Sequence, residues 1–433
     1  MDFDPGSGTF NLNSPGSFDI FISKLDAAGN FIWAKQMGGP GEDVSYSISL
    51  DASANVYTTG YLNGTAEFNP GPGTFNLISA GGIDIFISKL DSAGNFVWVK
   101  QIAGTFGEIG NSIAIDALGY VYTTGSFTGT VDFEPGPGTF NLSSAGDDDI
   151  FISKLDNAGN FVWAKQMGGT DEDISFSISL DSSGNVYTTG YFEGTVDFDP
   201  GIGTFSLTSV GGDDIFISKL DSAGNFRWAK QMGGANFDGG NSIGLDASGN
   251  VYTTGYFEGI ADFDPGVGSF DLTSAGFYDI FISKLDTAGN FVWAKQIGGT
   301  RSDNCNSIIL DAFSNIYTTG SFMETVNFNP GAGTFNLTSA GNSDVFILKL
   351  NDATTGVSEA YQRRLRIYPN PTKNVIYFSS PTNVQLSNLT GQVVATGNSV
   401  NILDLSEQPA GFYIVTLSDY KGQVIQKSKI VKE

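Results

Sequence analysis

The sequence predicts an all-β chain: a long series of four-stranded sheets followed by a small β-sandwich. Three observations predict it. A unit recurs every 65 residues across the first 350. Within each unit, four β-rich runs alternate with Asp- and Asn-Gly turns. The 57 glycines and 35 phenylalanines supply turns and aromatic strands, and no stretch carries the apolar spacing of a long helix.

The period is fixed by several landmarks at once. Asp-Ile-Phe-Ile-Ser-Lys-Leu-Asp begins at Asp19, Asp84, Asp149, Asp214 and Asp279, and a variant begins at Asp344. The tryptophans 33, 98, 163, 228 and 293 and the Tyr-Thr-Thr-Gly segments from Tyr57 to Tyr317 keep the same interval. A period without insertions means that every unit meets its neighbours in the same way.

In the unit from Asp149, residues 149–155 form a first strand that is apolar on both faces, as a sheet packed between two sheets requires. The turn Asp-Asn-Ala-Gly-Asn follows. Phe161 to Gln166 form a second strand, Ile174 to Leu180 a third, and Val186 to Tyr191 begin a fourth. Asp, Asn and Gly tolerate the positive φ of tight hairpins. A Phe-Asp-Pro-Gly-x-Gly-Thr-Phe insert at 198–205 reads as a projecting hairpin or loop. Four strands per repeat is the blade pattern of a β-propeller, and the insert accounts for a unit longer than the usual ~40–50 residues. A parallel solenoid is the rival, but it lacks four hairpin turns per coil. The expectation is a β-propeller of four-stranded blades over residues 1–350, with about five complete 65-residue repeats plus partial ones. Met1 falls inside a unit, so the domain is expected to be truncated at its N-terminus and to belong to a ring of six or seven blades.

These units resemble SBBP repeats, a β-propeller family of bacterial surface and secreted proteins. The resemblance is carried by the Asp-Ile-Phe-Ile-Ser-Lys-Leu-Asp-x-x-Gly-Asn-Phe-x-Trp run and the Asp-x-x-Gly-Asn-Val-Tyr-Thr-Thr-Gly run. It implies a fold and brings no common catalytic set.

Residues 351–360 have no period and read as a linker. Residues 361–433 contain short strand-like runs separated by turns, as in a small Ig-like β-sandwich. This segment is similar to the type A C-terminal sorting domain of type IX secretion cargo. Matching landmarks are Tyr368, Pro369, Asn370 and Pro371, then Gly391, then Gly411 and Tyr413, then Lys429 and Lys432 near the end. Phe412 stands where the family more often has Ile. The resemblance implies a partner, the type IX secretion machinery, and a secreted, extracellular or surface-attached protein.

Charge and chemistry narrow the function. The net charge is −25, and residues 351–433 hold 8 basic and 6 acidic side chains. The first 350 residues therefore hold 13 and 40, a net of −27 that repels nucleic acid and anionic membranes. No apolar run reaches 18 residues, so no membrane insertion is expected. The chain has no histidine, which removes His-based triads and His-containing zinc sites. Its one cysteine, Cys305, replaces small residues of other units and reads as packing. The insert supplies i, i+2 oxygen pairs that suit calcium. Asp132 with Glu134, Asp197 with Asp199, and Asp262 with Asp264 carry the most charge. An Asx turn before Pro-Gly is the favoured competing reading, because other units carry Asn there. The tryptophans read as inter-blade packing in a mid-blade strand rather than a sugar platform. The lysines at 24, 89, 154, 219, 284 and 349 read as neutralising nearby Asp. No acidic residue breaks the repeat, so no catalytic residue is assigned. The expected function is a non-enzymatic surface module binding a protein or glycan. A carbohydrate-active enzyme with an acidic pair in the propeller mouth and a structural spacer remain as alternatives.

Overall fold

The computed structural model describes residues 1–351, 367–388, 392–418 and 424–433. The chain divides into two compact units after residue 352. Among the described residues every regular element is a β-strand. The linker expected at 351–360 falls, after residue 351, outside the described residues, as does Gly391.

The first unit holds four complete antiparallel blades, each a meander. In one blade the strands run Glu108–Ile115, Val121–Phe127, Asp149–Leu155 and Phe161–Met167, from the inner edge to the outer. The next runs Asp173–Leu180, Val186–Phe192, Asp214–Leu220 and Phe226–Gly234. The inner edge is identified by contacts between the first strands of successive blades. Two partial blades flank the series: the hairpin Ile20–Leu25 with Phe31–Met37, and the sheet Asn304–Leu310, Ile316–Phe322 and Asp344–Leu350.

A blade is therefore not a sequence unit. It joins the last two strands of one unit to the first two of the next, and the tryptophan strand lies at the outer edge rather than in mid-blade. The insert causes the offset. It folds back on itself, so the strands on either side of it remain neighbours, with Val121 opposite Leu155 and Phe127 opposite Asp149.

Blades stack through two unlike faces. The Ile85, Ile87 and Ile102 face packs on Phe133, Phe151 and Leu155 of the following blade. The same pairing recurs between Ile150, Ile152 and Phe216, and between Ile280, Ile282 and Phe346. The ends of the series show what stacking buries. Phe21 is 54% exposed and Ile347 83%, whereas Phe86, Phe151, Ile87 and Ile152 are 0%.

The second unit has a five-stranded antiparallel sheet wrapped around its own core. Its strand Val375–Asn388 contributes Ile376 and Phe378 from one half and Val384 and Leu386 from the other to a single core with Tyr413, Val415 and Ile430. One sheet bent over itself gives the small sandwich that the turn spacing predicts.

Candidate functional site

In the second unit, the expected sorting residues converge on the last strand. Asn370 donates through Nδ2 to Lys429 O at 2.9 Å and accepts from Val431 N at 2.9 Å. Thr372 N donates to Val431 O at 2.8 Å, and Glu433 N donates back to Thr372 O at 2.9 Å. The Tyr-Pro-Asn-Pro segment, in which both prolines follow cis peptide bonds, thus clasps the chain's final residues. Tyr368 stacks on Tyr377 with ring centroids 5.8 Å apart. Lys429 lies 3.9 Å from the Phe412 ring, and the buried Lys432 ammonium donates to Ser406 O and Gln408 O. Gly411 opens the strand paired with Lys432, and the buried Tyr413 donates to Pro409 O at 2.7 Å.

In the first unit, the insert carboxylates are engaged as turn acceptors. Asp197 Oδ1 accepts from Asp199 N and Phe205 N at 3.0 and 2.8 Å, and Asp199 Oδ1 accepts from Gly201 N at 2.9 Å. Asp132 Oδ1 likewise accepts from Glu134 N and Phe140 N, at 3.0 and 2.8 Å. Glu134 turns its own Oε1 to Gly136 N at 3.0 Å. Asp262 Oδ1 accepts from Asp264 N and Phe270 N, at 2.9 and 2.8 Å. Asp264 in turn accepts from Gly266 N at 2.9 Å. Asn329 Oδ1 accepts from Gly331 N in the same way, so an amide does what the carboxylate does.

These bonds are those of the Asx turn that the sequence favoured over a calcium site. Among the described residues no group of three or more His, Cys, Asp or Glu is arranged around a metal position. The structure does not bring Glu134 or Asp264, nor Asp132, Asp197, Asp199 or Asp262, into such a group. The physical reason is competition: in each pair one oxygen of each acid is bound by backbone N–H groups of its own turn, which places the two acids in series along the loop rather than around a common point.

The lysine row packs over tyrosines, with Lys154 4.8 Å from the Tyr122 ring and Lys219 4.7 Å from the Tyr187 ring. Lys284 also pairs with Asp246 at 3.9 Å. Burial lowers Lys89, Lys154 and Lys219, opposed by Asp51, Asp116 and Asp181. Trp98 and Trp163 donate to Asn157 O and Ser222 O in the following unit, at 3.1 and 3.4 Å, which makes them inter-blade contacts. Cys305 is fully buried, and burial pushes its thiol up.

Sequence reading missed a set of buried carboxylate pairs, one at every joint between blades: Asp19 with Asp43, Asp84 with Glu108, Asp149 with Asp173, Asp214 with Asp238, and Asp279 with Asp303. The first acid heads a third strand, and the second heads the inner strand of the next blade. Backbone bonds bring them together, since Asp173 N donates to Asp148 O at 2.8 Å and Asp238 N to Asp213 O at 2.9 Å. The first acid also takes the glutamine of the tryptophan strand, as in Gln231 Nε2 to Asp214 Oδ2 at 2.6 Å. The second ties down the glycine turn and the neck of the insert: Asp238 accepts from Gly234 N at 2.7 Å and Glu258 N at 3.0 Å. Burial, reinforced by the partner's charge, raises Glu108 to about 7, Asp173 to about 8 and Asp238 to about 7. Burial also raises Asp149 and Asp214 to about 6. The available signal was the recurrence of an acid 24 residues after each strand-heading Asp.

Comparison with known proteins agrees with this architecture. Residues 366–433 match the secretion system C-terminal sorting domain. Residues 97–129, 162–191 and 292–321 match the SBBP β-propeller repeat. Among curated proteins, the WD repeat-containing protein L264 of Acanthamoeba polyphaga mimivirus is 26% identical over 83% of this chain and 32% of its own length. The regulatory protein FlaEY of Caulobacter vibrioides is 23% identical over 66% of this chain and 30% of its own. The chain thus spans about a third of the length of these relatives. The solved extracellular domain of the two-component system BT4673 of B. thetaiotaomicron is 13% identical, with 96% of this chain and 60% of that one covered. The TM-score between the two is 0.29.

The fold and the terminal clasp define a secreted or outer-surface β-propeller protein. It carries SBBP repeats and ends in a type IX secretion sorting domain.

Proposed function

We propose that the propeller is a non-enzymatic binding or adhesion module that engages a protein or glycan through its inserts. The observation that supports this reading is the row of hairpin tips. They leave every blade at the same place, between its second and third strands, and so line one side of the series. Two neighbouring tips, at Ile202 and Val267, expose an apolar side chain fully to solvent. An exposed apolar pair on adjacent inserts of a strongly acidic domain fits recognition better than solubility. The carboxylate pairs, by contrast, are buried at the joints and repeat without an odd member, which is unlike a catalytic pair reached by substrate.

The test is an array of glycans and surface proteins probed with the 433-residue chain, with and without calcium. Binding without turnover that is lost in the Ile202→Asp, Val267→Asp double variant is expected. Product formation would instead favour a glycan-active enzyme, and no binding at all a spacer.

A further inference from the structure

We propose that the insert-bearing end of the third and fourth complete blades docks the guanidinium of an arginine from a partner polypeptide. It would lie among the rings of Tyr191, Tyr256 and Tyr278 and beside the Asp213 carboxylate. The site is separate from the hairpin tips and does not depend on what they bind.

The repeat supplies its own comparison. In the preceding unit Asp148 is held by two hydroxyls: Ser126 Oγ donates to its Oδ2 at 3.2 Å, and Thr128 Oγ1 donates to its Oδ1. One unit on, the acid is kept as Asp213, but Tyr191 replaces Ser126 and Glu193 replaces Thr128. Tyr191 gives its hydroxyl to Glu172 Oε2 at 3.0 Å, and an ionised Glu193 has no hydrogen to give. Glu172 itself stands where the preceding unit has Gly107. Two donors have thus been exchanged for two like charges around a half-buried carboxylate. Burial, then the charges of Glu193 and Glu172, push Asp213 up to about 6. Glu193 and its counterpart Glu258 depart from the repeat, against the expectation that no acid does so. Local rules broken without a local gain are expected at sites that serve function.

Aromatic rings gather around the same acid. Tyr256 continues the Tyr191 position into the next blade, and Tyr278 takes the position of Asp213 there. These two rings meet edge-on, with centroids 5.0 Å apart. Gly239 makes room for them. Other units carry Val44, Ile109, Ile174 or Asn304 at its position, and a Cβ there would lie 2.7 Å from Tyr256 Cζ and Oη. After burial, the charges of Glu172 and Asp213 raise the hydroxyls of Tyr191 and Tyr256, and those of Glu258 and Asp213 raise that of Tyr278. The three rings and the acids therefore share one locality.

What the locality lacks is a cation. Among the described residues the ion pairs join Arg227 to Asp221, Lys284 to Asp246 and Arg301 to Glu324, and none engages these acids. A neutral sugar would leave the repulsion in place. A metal ion needs acids arranged around one point, and the described residues hold no such group. A guanidinium brings the missing charge, a flat face for the tyrosine rings and paired N–H donors for Asp213. The strongly acidic first unit would draw such a partner in.

Fluorescence anisotropy of a fluorescein-labelled peptide of alternating arginine and glycine, titrated with the 433-residue chain at physiological salt, tests this. Saturable binding is expected, and the same peptide with citrulline in place of arginine should not bind. Asp213→Asn and the charge-neutral Tyr256→Ala should each weaken binding roughly tenfold. Asp156→Asn, the same charge change in a turn at the opposite end of a blade, should leave it unchanged. Circular dichroism checks folding, and Tyr191→Ala stands in should Tyr256→Ala misfold. No binding, or equal binding of the citrulline peptide, overturns the proposal. So does equal weakening by Asp156→Asn and Asp213→Asn, which would mark diffuse attraction to an acidic surface, or full affinity once the tyrosine ring is removed.

Discussion

Each carboxylate pair is a local conflict settled by its surroundings. Burial disfavours the charged form, and the neighbouring acid adds repulsion. The folded chain therefore holds protons between about pH 4 and 8 that the unfolded chain releases, since unfolded carboxyls titrate near 4. Stability from these groups is complete below the unfolded value and is lost as pH rises through about 6 to 8. Tm should fall between pH 5 and pH 8, and Asp173→Asn should flatten the slope; thermal melts across that range would read both. Asp171 and Asp148, which also face the joint of Asp149 with Asp173, add to the repulsion at high pH. This site was hard to read because its two acids belong to strands that the chain joins only in the next blade. Turn residues were easier. Asp156 Oδ1 accepts from Ala158 N and Asn160 N at 2.8 and 2.9 Å, and Gly159 takes φ of 79°, all of it encoded within five consecutive residues.

At the scale of elements, the insert proves to be more than a projection. Gly234 pairs with Ala261, Gly104 with Val131, Gly38 with Glu67 and Gly168 with Asp197, so four inserts bond to the end of the preceding blade's outer strand. Its first phenylalanine enters the core: Phe198 is fully buried, 5.2 Å from Phe216 and 5.4 Å from Phe192 by ring centroids. Its second packs on the tryptophan strand, with Phe205 4.9 Å from Phe226. Phe198→Ala should destabilise the propeller by roughly 3–5 kcal/mol, read by urea denaturation, because the cavity lies between three elements. Strand positions were legible because alternation and turn chemistry are local. Strand partnership was not, since a strict period looks the same whichever strand is counted first. The longest connection invites a break there, yet it is a hairpin standing on a hairpin.

Across the whole molecule, charge is divided between two units. The first is strongly acidic, and the near-neutral terminal unit carries the export address. That address is shaped by contacts between residues about 60 apart in sequence, with Asn370 closing on Lys429 and Val431. Deleting residues 366–433 should abolish appearance of the protein outside the cell. Asn370→Ala should impair it while leaving the propeller folded; cell fractionation with a propeller-directed antibody would read both. The motif at each end of this clasp was legible as a pattern, but their meeting required the sheet.

The offset between blade and sequence unit has a consequence for how such a gene can lengthen or shorten. Near-identical stretches 65 residues apart invite unequal crossing-over. Because each complete blade borrows half its strands from the following unit, an exchange between two Asp-Ile-Phe-Ile segments adds or removes one blade's worth of chain and leaves the strand count of every remaining blade unchanged. The copy number of the array can drift while each member stays intact.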